Sequence, residues 1–287
     1  MKLWITGAKG LLGSTLAALC KDRGIDYVAT TREMVDISQL AHVKKFIHSR
    51  EGMDITHIVN CAAFTEVDRA ETEKDLAFHI NAIGPENLGI VAKEIGAKLV
   101  HISTDYIFAG DKEKPYIESD PAQPLSVYGH TKWEGEQKLL DVLPSACIIR
   151  TSWVFGPGGK NFISSILGRM KSDATLKVVS DQINRLTLAQ DLAETVLALL
   201  CHSGIYHFAN SGAISRYAIA QKIFSWAKAH NMTLACQEIL PVPAATFPTP
   251  AKRPLRSVLS TDKITTSLGI SPRYWEQALE EHLSHEI

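Results

Sequence analysis

The chain has almost no charge bias. Its 287 residues carry 30 Lys and Arg against 31 Asp and Glu, for a formal net charge of −1. Balanced charge supplies no basic field, so nucleic-acid binding is not expected. Long apolar runs are missing as well, and nothing approaches the roughly 20 residues that cross a bilayer, so no membrane partner is expected. The N-terminus enters an apolar segment without a basic leader, which predicts a cytoplasmic protein. Cysteine is sparse: Cys20, Cys61, Cys147, Cys201 and Cys236 are scattered with no C-x-x-C pair. An odd, dispersed set predicts reduced core thiols rather than a disulfide framework, and no metal is expected. Repeats, low-complexity tracts and a linker are absent.

What is present is an alternation. Apolar runs of strand length at Leu3–Thr6, Tyr27–Thr30, His57–Asn60, Leu99–Ser103 and Cys147–Arg150 are separated by helical patterns starting near Leu11, Ser38, Glu71 and Ser126. Continuous apolar strands with crossover helices predict an α/β fold, a Rossmann-type doubly wound parallel sheet covered on both faces. Such a sheet binds ligands at the carboxyl ends of its strands. The predicted dinucleotide-binding unit spans residues 1–150, with returning segments from about 180–210. Residues 151–287 mainly form a smaller mixed α/β substrate-binding lobe. There, Asn161–Lys171, Leu188–Leu200, Ser215–His230 and Tyr274–His285 read as helices, Leu176–Val179 and Gly204–Phe208 as strands, and Pro241 to Pro254 as a long loop.

Two motifs carry chemistry. Gly7-Ala8-Lys9-Gly10-Leu11-Leu12-Gly13 follows the first strand and opens a helix. In that context Gly7 permits a tight turn, Gly10 lets the backbone approach a pyrophosphate, and Gly13 lets the helix pack closely. The helix N-terminus then offers free amides, those of Leu11 and Leu12 included, and a partial positive charge to the anion. The second motif is Tyr128-x-x-x-Lys132, with Thr104 upstream at the end of an apolar run. Residues four apart share a helix face. An ammonium near a phenol is expected to lower the phenol's pKa, so that it exchanges a proton with a carbonyl oxygen near neutral pH. Thr104 supplies a hydroxyl for the same oxygen. After the second strand the chain reads Ala29-Thr30-Thr31-Arg32 and lacks the carboxylate that binds a ribose 2′-hydroxyl in NAD sites. Arg32 suits a 2′-phosphate, which favours NADPH with NADH tolerated.

Together these residues resemble the extended short-chain dehydrogenase/reductases, and within them the dTDP-4-dehydrorhamnose reductases. The likeness runs over nearly the whole length. It includes Val59–Thr65 followed by Val67-Asp68, Asn81-Ala82, Ser103–Phe108, Arg150–Gly156, Asn161-Phe162, Arg253-Pro254 and Ser257–Leu259. The S-T-D-Y-x-F and R-T-S-W-V-x-G blocks separate this group from the sugar-nucleotide epimerases. The resemblance implies hydride transfer from a nicotinamide to the C4 ketone of a dTDP-sugar, with Tyr128 as acid, Lys132 on the nicotinamide ribose and Thr104 orienting the carbonyl. It implies that Cys61, Ala62, Ala63 and Thr65 line the cofactor, that Asn81 supports that wall, and that Asp36 and Ile37 lie near the adenine. Asp105, Trp153, Asn161, Arg253 and Arg256 are the implied substrate contacts.

Two departures stand out. Where the family shows D-Q-x-G-x-P-T, Asp181 to Thr187 lacks the Gly and Pro and gains Arg185, which is expected to point to solvent. Thr15 and Gln190 occupy positions where a metal-bridged dimer would need carboxylates, so no such bridge is expected, and a homodimer is left open. Two other readings compete with the reductase. One is a non-catalytic dinucleotide-binding regulatory subunit of the methionine adenosyltransferase type. The other is a nucleotide-sugar epimerase or dehydratase, for which Asp105 offers a further carboxylate.

Overall fold

Alternate residues of each strand go to opposite faces, and here both faces are apolar. In the computed structural model, which describes residues 1–158 and 161–285, six parallel strands form one sheet. They are β1 (Lys2–Thr6), β2 (Asp26–Thr30), β3 (His57–Asn60), β4 (Lys98–Thr104), β5 (Cys147–Thr151) and β6 (Gly204–His207), in the order β6-β5-β4-β3-β1-β2. Leu3, Ile5, Val59, Val100, Cys147 and Ile149 pack on one face against helices α1 (Leu11–Asp22) and α6 (Ala189–Ala198). Trp4, Ile58, Leu99 and Ile148 pack on the other, against α2 (Leu40–Ile47), α3 (Gly84–Ile95) and α4 (Val127–Val142). This is the doubly wound α/β sheet expected from the run of apolar strands.

One helix differs from its expectation. In place of one helix from near Glu71 the chain forms short helices at Val67–Ala70 and Lys74–Phe78 and a wide π turn at His79–Ile83 before α3 begins. Pro85 lies in the first turn of α3 and has no N–H to give the Asn81 carbonyl four residues back. The wide turn absorbs that lost bond.

Residues beyond β5 build a second core. Phe155, Ile163, Met170, Leu176, Leu186, Ile223, Trp226, Trp275 and Leu279 are buried together. They come mainly from α5 (Phe162–Ser172), α7 (Arg216–Ala229), α8 (Trp275–Ser284) and a parallel strand pair, Thr175–Val179 with Glu238–Val242. That strand and the short turn Ala244–Thr246 correct the expected loop from Pro241 to Pro254. Its edge position tolerates Pro241, which cannot donate to a ladder.

A buried ion pair ties α4 to the sheet. Arg150 of β5 reaches Glu136 with its Nε at 3.0 Å and Nη2 at 2.7 Å, and Ser103 of β4 donates to the same carboxylate at 2.5 Å. Both charged side chains are almost wholly buried. Removing one partner of such a pair strands a charge in a dry interior and costs about 3–5 kcal/mol. Arg150→Leu is therefore expected to lower stability by about that amount, read as a loss of ΔG in urea titration. The double replacement Arg150→Leu with Glu136→Leu should recover most of it.

Candidate active site

The glycine turn does two jobs. Gly7 adopts φ 69°, in the left-handed region, and a Cβ there would lie 2.7 Å from the Ala62 backbone nitrogen. A Cβ on Gly13 would overlap the Gly7 carbonyl. Both are needed for the strand and helix to meet. Gly10 differs: its φ is −75°, and an added Cβ would meet just the Gly7 carbonyl oxygen, at 3.2 Å. It heads α1, whose first-turn amides have no acceptor within the helix. The turn faces a cleft of about 360 Å³ walled by Gly7, Gly10, Arg32, Asp36, Ile37 and Cys61–Thr65. The Leu12 side chain is turned into the core beside Leu3 and Leu16. Leu12 can contribute no more than its backbone.

A carboxylate overlooked in the sequence stands one residue past Arg32. Glu33 lines the same cleft and meets Lys9 at 3.2 Å across its mouth. The Thr31 hydroxyl, its own amide and Lys9 hold the Glu33 carboxyl down at about 2. Arg32 lies 3.9 Å from Asp36 with most of its side chain exposed.

The trio lies at the carboxyl end of β4. The Thr104 hydroxyl accepts from the Tyr106 amide at 3.2 Å and is in hydrogen-bonding reach of the Tyr128 phenol. Tyr128 is in the first turn of α4, which Ser126 caps by accepting from the Gly129 amide at 3.2 Å. Lys132, one turn on, is buried; its Nζ donates to the Ile102 carbonyl at 2.6 Å and lies 3.2 Å from His101 Nε2. His101 Nδ1 meets Asn60 Nδ2 at 2.9 Å, and Asn60 Oδ1 accepts from the Thr6 hydroxyl at 2.7 Å and the Ala62 amide at 3.1 Å. A continuous buried network thus runs from Lys132 to the strand that opens the glycine turn. Asn81 accepts from the Phe64 amide at 2.8 Å and donates to its carbonyl and to Thr131, so it braces the segment after β3.

Burial dominates the electrostatics here. It brings Lys132 down to about 8, against the support of Glu136 and Cys61, and pushes the Cys61 thiol up to about 12. It also raises Tyr128, with the Thr104 hydroxyl opposing. The expectation that Lys132 lowers the phenol is corrected: the ammonium is engaged by Ile102 and desolvation of the phenol prevails. Near neutral pH Tyr128 is a protonated donor.

A second cleft of about 540 Å³ opens toward the other core, lined among others by Gln182, Arg216, Phe247, Lys252 and Arg253. Arg253 grips Asp68 with Nη2 at 2.6 Å and Nη1 at 3.0 Å. Arg216 was missed in the sequence. Its Nε donates to Gln182 at 3.2 Å, and its guanidinium lies 4.5 Å from the Trp153 ring and 4.9 Å from the Phe162 ring. Both arginines reach the Tyr106 phenol. A signal was available: Arg216 opens α7 directly after the capping Ser215, where a helix N-terminus disfavours a cation. Trp153 adopts φ 42°, which places its ring under that guanidinium.

Four sequence expectations are corrected here. Asp105 is wholly buried, its carboxylate engaged by Ser257, Asn184 and Thr104 rather than presented to a substrate. The Asn161 side chain caps α5 and donates to the Gly156 carbonyl at 3.1 Å. Arg256 turns the other way from Arg253 and donates to the Glu113 carbonyl at 3.0 Å. Arg185 points inward to the Thr261 hydroxyl at 3.0 Å, not to solvent. Among the described residues no group of three His, Cys, Asp or Glu forms a metal site, and no helix is long and apolar enough to cross a membrane.

The model of the RmlD substrate binding domain family matches residues 1–287. The chain belongs to this family. Among its relatives the RmlD-family chain is 40% identical over 283 residues to the spore coat polysaccharide biosynthesis protein SpsK of Bacillus subtilis, covering 98% of this chain and 96% of that one. It superposes on a dTDP-4-dehydrorhamnose reductase of Clostridium acetobutylicum with TM-score 0.94 and 36% identity, covering 100% and 99% of the two chains. The corresponding reductase of Bacillus anthracis, solved in complex with NADP, gives TM-score 0.92 at 34% identity over 99% of each chain.

The glycine turn generates a separable test. Gly10→Val is expected to fold, because its Cβ meets the Gly7 carbonyl oxygen at 3.2 Å, a tight contact that a shift of a few tenths of an ångström relieves, and to lose at least about tenfold in dinucleotide affinity because the side chain blocks the approach to the amides. Gly7→Val is expected to lose the fold itself. Circular dichroism together with calorimetric NADPH titration distinguishes the two.

Proposed function

We propose that this protein reduces the C4 ketone of dTDP-4-dehydrorhamnose to dTDP-L-rhamnose with NADPH. The observation that carries this reading is the convergence of Thr104, Tyr128 and Lys132 beside the glycine-turn cleft in a member of the RmlD family. The residues present fit a dinucleotide: Gly7 and Gly10 on the cleft wall with no side chain to fill it, Gly10 at the head of α1, and the small side chains of Ala62 and Ala63. The bound nicotinamide supplies the hydride. Arg32 suits the 2′-phosphate.

The protein's own part is positioning and proton delivery. Tyr128 donates its phenolic proton to the ketone oxygen, which takes up charge as the hydride arrives. Thr104 holds that oxygen. Lys132, fixed by Ile102, leaves a firm wall under the ribose, and the Thr104 hydroxyl favours the phenolate left behind. On the other side, Arg216, held through its Nε by Gln182, takes the diphosphate, and Arg253, its fork held by Asp68, adds positive charge beside it. We assign the dinucleotide to the sheet unit and the dTDP-sugar to the cleft against the second core.

Purified protein with NADPH and a panel of 4-keto-6-deoxy nucleotide sugars, followed at the nicotinamide absorbance, tests this directly. One NADPH consumed per product marks a reductase; an epimerase, a dehydratase or a regulatory subunit consumes none. Tyr128→Phe is expected to reduce turnover by about 100-fold or more while leaving NADPH affinity nearly unchanged. Near-normal turnover would remove Tyr128 as the acid. Arg216→Ala should raise the Michaelis constant for the sugar nucleotide by about tenfold or more, the scale of a charge-assisted contact. Arg256→Ala should leave it within a few-fold.

A further inference from the structure

Asp105 follows Thr104 at the end of β4, and its two carboxylate oxygens are not equivalent. Oδ2 accepts from the Ser257 hydroxyl at 2.5 Å and from Asn184 Nδ2 at 2.7 Å. The Asn184 amide cannot be turned over, because its Oδ1 accepts from the Arg185 backbone N–H at 2.9 Å. Reversing the role of Ser257 would leave its buried hydroxyl hydrogen unpaired, since among the described residues Oδ2 is its acceptor and its oxygen already receives Asn184 Nδ2 at 3.0 Å. Oδ2 therefore has two fixed donors and no vacancy for a proton. A proton taken up by this carboxyl goes to Oδ1, which lies 3.3 Å from Thr104 Oγ1.

Thr104 has one hydroxyl hydrogen and two places for it. It can point inward to Asp105 Oδ1 or outward toward Tyr128 and the ketone oxygen. An ionised Oδ1 draws the hydrogen inward. A protonated Oδ1 donates to Thr104 Oγ1 and turns the hydrogen outward. We propose that Asp105 is a positioning residue whose protonation, forced onto Oδ1 by Asn184 and Ser257, turns the Thr104 hydroxyl toward the reacting oxygen.

The surroundings let this carboxyl titrate in a useful range. Burial raises it to about 6, against the donors Ser257, Asn184, its own amide and Thr104. The groups facing it are Arg216 from α7, which favours the ionised form, and the phenols of Tyr106 and Tyr128, which are neutral in this range. Because the folded value lies above that of a free aspartate, the outward Thr104 is present at low pH and is lost as pH rises through about 6.

Two measurements test this, the second resting on the reductase reading above. The first needs no substrate. The infrared band of a protonated carboxyl, taken as wild type minus Asp105→Asn, should titrate near 6. In Thr104→Val its midpoint should rise, because ionised Oδ1 loses its donor. Ser257→Ala should raise it too and serves if Asp105→Asn does not fold. The second is single-turnover reduction of the keto sugar with deuterated NADPH, so that the isotope effect marks the chemical step. Wild type should slow by about tenfold or more from about pH 5 to about pH 7.5, since losing one donor to a developing oxyanion costs about 100-fold or more at full titration. Asp105→Asn, whose amide nitrogen donates to Thr104 at every pH, should be flat over that range. A missing band, a midpoint unmoved by Thr104→Val, or a pH step that persists in Asp105→Asn would overturn the inference. A titrating, Thr104-sensitive band in a wild type that reduces no keto sugar would uphold the relay and sink the reductase reading alone.

Discussion

Helix α4 approaches its neighbours so closely that two of its glycines leave no room for a side chain, and the geometry of the site follows from that contact. A Cβ on Gly129 would strike the Tyr106 carbonyl, and one on Gly135 would strike the Asn81 carbonyl. Between them, Lys132 reaches the Ile102 carbonyl and Glu136 reaches Ser103 and Arg150. About two successive turns of one helix are thus fixed against β4, β5 and the wide turn before α3. The phenol of Tyr128 has little freedom left, and the hydroxyl it must work with is delivered by the strand that the helix covers. Preorganisation of this kind is how a site places a donor before charge develops.

Much of this was written in the sequence. The strands were legible because both faces of the sheet are apolar, so their patterns are continuous and short, and the glycine turn was legible because strand, turn and helix follow one another directly. The trio was legible because a spacing of four puts Tyr128 and Lys132 on one helix face. What escaped depends on distance along the chain. Asp105 looks like an available carboxylate until Asn184 and Ser257, 79 and 152 residues away, are seen to hold it. Arg253 and Arg256 look alike in sequence, yet one meets Asp68 and the other a backbone carbonyl. The short strands of the second core, two residues each in several cases, carry no period to detect.

The electrostatics also needed the fold. A sequence gives the nearness of an ammonium and a phenol but not the dielectric around them. Here desolvation is the leading cause for Tyr128, Lys132, Cys61 and Asp105 alike. It favours the neutral form of each, so a proton is available on the phenol and the thiol is a poor nucleophile.

The sixth strand has a consequence for how the protein comes into being. β6 completes the edge of the sheet beside β5, and α6 covers the face of α1 with Leu192 and Val196, yet they begin 53 and 38 residues beyond β5 in the chain. A nascent chain that has emerged only through Thr151 presents a long apolar strand with one bare edge and an uncovered helix, the features that invite pairing with the wrong neighbour. The sheet cannot close until more than two hundred residues have left the ribosome, with the whole stretch from β5 to α6 looped out between them. Long-range closure of this sort slows folding. The six-stranded sheet is therefore not a detachable module, and a fragment ending at β5 would be a candidate for aggregation.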